Sequence, residues 1–154
     1  MNKSESIKEL AMALAKAQAK MENPKFDTVN PFFKSKYASL AAVREATIPV
    51  LSEHGLSVVQ FLRGQESGVE CETMLMHSSG EWLSDSFAVP VSKHDAQGYG
   101  SAATYARRYA LMAITGVVGD ADDDGNTAVG GKNAKANEKA TGGTPPNAPA
   151  DFPP

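Results

Sequence analysis

Residues 56–89 constrain the fold of this chain most strongly, because they contain three segments of alternating apolar and polar residues joined by short connections. In each segment apolar and polar side chains alternate, which is typical of a half-buried β-strand. The connections contain glycine and are too short for a crossover, so neighbouring strands must run antiparallel. The predicted strands of this three-stranded meander are LSVVQFL (56–62), VECETMLMH (69–77) and EWLSDSFAV (81–89).

A sheet this small needs a cover over its apolar face. On the middle strand, alternation places Cys71, Thr73 and Leu75 together on that face. Segments with helical periodicity before and after the meander supply the cover. The chain is therefore predicted to be an α+β domain of order α-α-β-β-β-α, with its helices packed on the antiparallel meander.

Local signals set the ends of the three predicted helices. The first covers residues 6–21, where Ser6 begins a capping box. The second begins at Ser39 as its N-cap and is expected to kink or split at Pro49. The third covers residues 101–115 and follows a glycine turn.

Composition divides the chain near residue 126. Residues 127–154 contain 4 Gly and 5 Pro, and only Val129 and Phe152 are large apolar residues. Such a segment cannot bury enough surface to offset its loss of conformational entropy, so it is predicted to be a disordered tail. Residues 1–126 are predicted to form one folded domain.

The net charge of −3 comes from 15 basic and 18 acidic residues that are unevenly distributed. Residues 1–44 carry 8 basic and 4 acidic side chains, whereas residues 45–126 carry 4 and 12. Any contact with nucleic acid is therefore expected to be local.

Three further observations predict the cellular compartment of the protein. No apolar run approaches the roughly 20 residues of a membrane span, and no secretory leader is visible at the N-terminus. The single cysteine excludes a disulfide framework within the chain. Together they predict a cytoplasmic protein with no membrane partner.

The segment GYGSAA (98–103) fits the dinucleotide-binding pattern G-x-G-x-x-A. That site requires a parallel βαβ unit, which antiparallel strands do not provide. A flexible turn into a helix is the simpler interpretation. Glycines at a helix N-terminus would also let backbone N–H groups approach a phosphate.

An acidic run, DADDDG (120–125), matches the first half of a calcium loop. Gly131 stands where the bidentate glutamate belongs, so a solvated acidic loop is the simpler interpretation. Asp120, Asp122 and Asp124 are weak candidates for Mg²⁺ ligands. They leave a metal-dependent nuclease as the enzymatic alternative.

Two adjacent arginines in the third predicted helix diverge by about 100°. Arg108 shares a stripe with Ser101 and Tyr105, which suits phosphate and base contacts, and it is assigned to DNA. Arg107 lies on an apolar side with Leu111 and is expected to pair with a carboxylate inside the fold or across a subunit contact. The alternative places the tyrosines in the core and both arginines in solvent.

The segment NPFFKSKY (30–37) interleaves lysines with aromatic residues. In sites for single-stranded nucleic acid, aromatic rings stack on bases and lysines neutralise phosphates. The alternative is a loop whose aromatic side chains fill the core while its lysines stay solvated.

Several segments occur together and in one order along the chain. They are NPFFKSKYASL (30–40), His54-Gly55-Leu56, Ser79-Gly80-Glu81-Trp82, Gln97 with Gly100-Ser101, and TYARRYAL (104–111) followed by acidic residues 120–126. This set resembles the ERF (essential recombination function) family of phage-type single-strand annealing proteins. The resemblance covers about residues 5–126 and leaves the tail outside.

The resemblance implies an ATP-independent protein that coats single-stranded DNA and pairs it with a complementary strand in homologous recombination. It also implies oligomeric rings or filaments, a fold similar to the β-β-β-α core of ring-forming annealing proteins, and action in the cytoplasm of a bacterial host. No cofactor is implied, with a dependence of annealing on Mg²⁺ left open. The candidate DNA-binding residues are Phe33, Lys34, Lys36, Tyr37, Gln97, Gly100, Ser101, Tyr105, Arg107 and Arg108.

Three functions stay open at this point: a single-strand annealing protein, a metal-dependent nuclease and a passive single-strand-binding protein. The tail ends in ADFPP (150–154), an acid and one aromatic residue on a flexible tether. This ending would suit docking to a host single-strand-binding or replication protein, and the alternative is an inert linker end.

Overall fold

The computed structural model describes residues 1–30 and 35–120. Within them the chain forms three α-helices and six β-strands, so the predicted α+β class is confirmed. In chain order the elements are β1 (Asn2–Lys3), α1 (Lys8–Gln18), β2 (Thr28–Val29), β3 (Lys36–Tyr37), α2 (Leu40–Glu53), β4 (Leu56–Gln65), β5 (Gly68–His77), β6 (Trp82–Pro90) and α3 (Ala96–Thr115).

The main sheet contains the predicted meander and one strand more. Its strand order is β1-β6-β5-β4, and every neighbouring pair is antiparallel. β1 pairs Asn2 with Ser84 and Lys3 with Leu83. The prediction of a three-stranded sheet is therefore incomplete, because two exposed polar residues are too few to show a strand period.

A separate hairpin of β2 and β3 lies in the stretch between α1 and α2. Thr28 is opposite Tyr37, and Val29 is opposite Lys36. The connection at residues 31–34 lies outside the described residues. This hairpin was also missing from the predicted order, since each of its strands is only two residues long.

All three helices pack on one face of the main sheet. Leu10 of α1 and Leu51 of α2 lie in one buried cluster with Leu75, at the centre of that face. α3 packs across β5 and β6. Cys71 and Thr73 are buried beside Leu75, as the alternation predicts.

The N-terminus of α1 is capped by Glu81 and not by a capping box of Ser6 and Glu9, so that prediction is wrong, although the Ser6 hydroxyl does accept from the N–H of Lys8 (3.2 Å). Glu81, in the connection between β5 and β6, accepts hydrogen bonds from the backbone N–H of Leu10 (2.8 Å) and from the hydroxyl of Ser6 (2.7 Å). Leu10 and Glu81 are 71 positions apart in the chain, so no local spacing could reveal the cap.

α2 begins where the sequence predicts, after Ser39 as its N-cap. The Ser39 hydroxyl accepts from the N–H of Ala42 (3.2 Å), and Gly55 follows the helix with a φ of 71°. Of the kink or split predicted at Pro49, the split is wrong, because α2 runs unbroken through the proline. Buried residues on both sides of Pro49 pack on the core and hold the helix together.

α3 begins at Ala96 and not at residue 101, so the predicted glycine turn at its N-terminus is wrong. Asp95 is the N-cap, and its carboxylate accepts from the N–H of Gly98 (2.7 Å). A side chain at position 98 would collide with the Lys93 carbonyl oxygen, which explains the glycine there. Because the N–H of Gly98 donates to Asp95, it already has a partner within the chain.

Candidate nucleic-acid interface

Several predicted site residues converge on Arg108, in the second half of α3. Its guanidinium carbon lies 4.4 Å from the ring centroid of Tyr37, 4.9 Å from that of Tyr109 and 5.7 Å from that of Tyr105. The Tyr105 and Tyr109 rings are 4.3 Å apart. Arg108 is only 8% exposed. We refer to Tyr37, Tyr105, Arg108, Tyr109 and Asp120 as the Arg108 cluster.

The polar partners of Arg108 come from outside its helix. Its Nη1 donates to the carbonyl oxygen of Ala38 (3.1 Å) and lies 3.9 Å from a carboxylate oxygen of Asp120. A guanidinium enclosed in this way needs such partners, because an unpaired buried charge is costly. Arg108 is therefore fixed on one side by aromatic rings and on another by oxygen atoms.

The adjacent arginine makes a different contact. The Nε of Arg107 donates to the side-chain oxygen of Gln60 on β4 (3.4 Å), and the Gln60 amide donates to the Arg107 carbonyl (2.9 Å). The divergence of the two arginines is confirmed, but among the described residues the carboxylate pair predicted for Arg107 occurs at Arg108. The reason is that the Arg108 stripe faces β3 and Asp120, a packing that helical periodicity alone cannot specify.

Backbone pairing brings the start of the acidic run to this cluster. After α3 the chain turns at Gly116, where φ is 80°, and returns alongside β3. Tyr37 and Asp120 form an isolated antiparallel bridge, and the N–H of Ala38 donates to the Gly119 carbonyl (2.7 Å). β3 therefore lies between β2 and residues 119–120.

Electrostatics inside the cluster favour a neutral phenol. Burial, followed by hydrogen bonding to the Asp120 carboxylate and to Tyr105, raises the pKa of Tyr109. The Tyr109 ring thus remains an uncharged neighbour of the Arg108 guanidinium. An uncharged ring of this kind attracts a cation through its π face.

Asp27 fixes the start of β2 at the same end of the hairpin. Its carboxylate accepts from the Ser39 N–H (2.7 Å) and from the Ser39 hydroxyl (2.6 Å). These hydrogen bonds lower the pKa of Asp27. They join the start of β2 to the N-terminus of α2, so both strands are attached to the domain at the open end of the hairpin, where Thr28 lies opposite Tyr37.

The remaining predicted DNA-binding residues occupy different places. Lys36 is exposed on β3. The first half of α3 carries exposed Gln97 and Gly100 and half-buried Ser101. Phe33 and Lys34 lie outside the described residues.

Sequence reasoning missed two residues of the site. Tyr109 had a detectable signal, because it follows Tyr105 by four residues on the same helix. Asp27 had no such signal, since its partner Ser39 is twelve positions away.

Of the three acidic residues considered for a metal, Asp120 lies within the described range, where it pairs with Arg108. Asp122 and Asp124 lie outside that range. In residues 1–30 and 35–120, no group of three or more His, Cys, Asp or Glu side chains is placed to hold a metal ion. None of the helices in these same two ranges combines the length and apolar character that a membrane crossing requires.

Comparison with protein families confirms the resemblance seen in the sequence. The model of the ERF superfamily matches residues 10–150, a range that contains the hairpin, the meander, α3 and the whole Arg108 cluster. The match also covers residues 127–150, so the expectation that the resemblance leaves the tail outside is wrong. No curated protein and no solved structure matches the chain significantly. Because the family match covers most of its length, this chain belongs to the ERF superfamily, whose general role lies in recombination and single-strand annealing.

Proposed function

We propose that this chain binds single-stranded DNA without sequence preference and anneals complementary strands without ATP or another cofactor. The observation that carries the proposal is the convergence of the β2–β3 hairpin and α3 at the Arg108 cluster, in a member of the ERF superfamily. The hairpin supplies a lysine beside an aromatic residue, which suits phosphate neutralisation and base stacking. The setting that we propose is phage-type homologous recombination in the cytoplasm of a bacterial host.

Annealing places a specific demand on the DNA contacts. The base edges must stay free for the incoming strand, so the protein has to hold phosphate and sugar. The proposed path for the strand runs from exposed Lys36, on the face of the hairpin away from α3, to exposed Gln97 in the first half of α3, about 16 Å from Arg108 along the helix axis. Other residues proposed to line it are Phe33, Lys34, Tyr37, Gly100, Ser101 and Tyr105.

A path of this length offers few phosphate contacts, so we propose that the chain acts as an oligomer. Sites linked along one strand act at high effective concentration, and weak sites then bind tightly together. The ten-residue β4 lies at an edge of the main sheet, and Val59, Phe61 and Leu62 on it are exposed. Such an apolar edge strand is a template for pairing with another chain, which supports contact between copies.

The oligomer is tested by placing a charge on that edge. Phe61→Lys is expected to lower the mass measured by light scattering after size-exclusion chromatography, because a lysine on an edge strand opposes pairing. Met12→Lys is the matched control, since Met12 is similarly exposed on α1 (44% against 47%). An unchanged mass for Phe61→Lys would exclude the β4 edge as the contact.

DNA binding is tested through its dependence on salt. Lys36→Ala is expected to weaken binding to every sequence alike and to reduce the slope of log K against log salt concentration by about 0.7, the value for one phosphate contact on a single strand. Lys16→Ala, a change of an exposed lysine on α1, is the control. Lys16→Ala is expected to keep the wild-type slope. If Lys36→Ala also keeps it, Lys36 does not contact phosphate.

Labelled oligonucleotides separate the alternatives in one experiment. Pairing of complementary strands without ATP supports annealing, and binding without pairing indicates a passive single-strand-binding protein. Cleavage that requires Mg²⁺ would indicate a nuclease that uses the acidic run. Deletion of residues 127–154 is expected to leave annealing intact and to remove only the proposed docking to a host replication protein.

A further inference from the structure

Arg108 is too enclosed to serve as an ordinary phosphate ligand. Three tyrosine rings and the Ala38 carbonyl surround its guanidinium, and only 8% of the residue is exposed. A phosphate that reached the guanidinium would have to replace these contacts. The predicted assignment of Arg108 to DNA therefore needs a different physical basis.

The partners of Arg108 indicate how it could affect DNA binding indirectly, because two of them, Tyr37 and Ala38, directly follow Lys36 in the chain. Arg108 holds the ring of Tyr37 at 4.4 Å and the carbonyl of Ala38 at 3.1 Å. Asp120 pairs with Tyr37 through the backbone and with Arg108 through its side chain. β3 is thus fastened to α3 at the residue after the exposed lysine.

Because β3 is held against α3 at Tyr37, strand geometry determines the direction of the Lys36 side chain. Successive side chains of a strand point to opposite faces. A contact that fixes Tyr37 against α3 therefore directs Lys36 away from α3, and Lys36 is exposed. Besides this contact, β3 is held by its backbone pairing with β2, by the bridge from Tyr37 to Asp120 and by the hydrogen bond from Ala38 to Gly119.

We infer that Arg108 is a positioning residue, which holds β3 against α3 so that Lys36 faces single-stranded DNA, and that Arg108 does not itself bind DNA. This inference rests on the proposed function and deepens it. It replaces the direct contact that the helical stripe predicts for Arg108.

The conservative variant separates positioning from phosphate binding. A lysine keeps the charge of Arg108 but loses the planar group that lies among the rings. Positioning predicts that Arg108→Lys and Arg108→Met both weaken single-stranded DNA binding about tenfold, the scale of one lost charge-assisted contact. Affinity near the wild-type value for Arg108→Lys would overturn the inference.

A double-mutant cycle tests whether Arg108 acts through Lys36. We expect the variant with both Lys36→Ala and Arg108→Met to bind no more weakly than the weaker single variant, because both changes disable one contact. Independent contacts would give losses that multiply. Multiplied losses would therefore overturn the inference.

Hydrogen exchange of the free protein tests the positioning without DNA. Arg108→Met is expected to speed exchange at the amides of Tyr37 and Ala38 while Leu75, in the core, keeps its protection. If Arg108→Met unfolds the domain, Tyr37→Leu breaks the same contact from the side of the hairpin and gives the same comparison. Unchanged exchange at residues 37 and 38 would overturn the inference.

The two proposals fail in different ways. If Lys36→Ala binds DNA as the wild type does, the hairpin is not the DNA site. The proposed function then loses the structural observation that supports it. Faster exchange at residues 37 and 38 in Arg108→Met would then still establish that Arg108 holds β3. Unchanged exchange together with weaker binding by Lys36→Ala would instead keep the DNA site and remove the role of Arg108.

Discussion

Replacing Asp120 by asparagine tests whether the first carboxylate of the acidic run is part of the fold or part of a metal site. The Asp120 and Arg108 side chains lie 3.9 Å apart and are 37% and 10% exposed. At that separation the Coulomb energy is about 1 kcal/mol in water and about 4 kcal/mol for a pair near a protein surface. Desolvation of the two groups offsets part of this gain.

The expected loss for Asp120→Asn is therefore about 1–2 kcal/mol of unfolding free energy, between the values typical of exposed and of buried pairs. It stays below the cost of a fully orphaned charge because Arg108 keeps the Ala38 carbonyl and the three rings. The pKa of Tyr109 is also expected to fall toward its ordinary value, since the Asp120 carboxylate is one cause of its increase.

Urea unfolding with and without Mg²⁺ measures the effect. Asp85→Asn is the control, because its ion pair with the N-terminal ammonium (3.2 Å) is largely exposed and is expected to contribute no measurable stability. Equal stability of Asp120→Asn and the wild type would refute the structural role of the pair. A loss seen only with Mg²⁺ would identify Asp120 as a metal ligand.

The raised pKa of Tyr109 predicts that stability falls as pH rises above about 10, by up to about 1.4 kcal/mol per pH unit, because the unfolded chain loses a proton that the folded protein keeps. Unfolding titrations of Tyr109→Phe are expected to lack this contribution. For Asp27 the sign is opposite: its lowered pKa stabilises the fold above pH 3.8, and this stability is lost as pH falls through the folded-state pKa. Acid titrations of Asp27→Asn are expected to show a shallower loss. Leu75→Ala is expected to lower the unfolding free energy by about 2–5 kcal/mol in urea, because the fully buried side chain leaves a cavity.

The main sheet could be predicted because its signal is long and repeated. Nine to ten residues in each of β4, β5 and β6 give several alternations, and burial of Cys71 and Leu75 agrees with them. β1 and the β2–β3 hairpin could not be predicted, since two residues cannot show a period. The cap of α1 by Glu81 was hidden for a different reason, because it comes from a distant part of the chain.

The candidate site could be predicted in composition but not in arrangement. Tyr37, Tyr105 and Arg108 were identified from the pattern of aromatic and basic residues, and the structure brings them together. Helical geometry also requires the two adjacent arginines to diverge. Which arginine meets a carboxylate depends on where β3 and residues 119–120 pack, and that packing is set by non-local backbone pairing.

A net charge of −3 does not exclude a local contact between this chain and DNA. Several of its carboxylates already have partners inside the domain: Asp120 pairs with Arg108, and Glu72 pairs with Arg63 at 2.8 Å. Asp95 faces the N-terminus of α3, where the helix dipole offsets negative charge. Lys36, by contrast, is exposed. Since salt screens exposed charges beyond about 10 Å, a DNA strand bound as proposed at the hairpin would respond to the nearby charges, Lys36 and Asp120 among them, and not to the net charge.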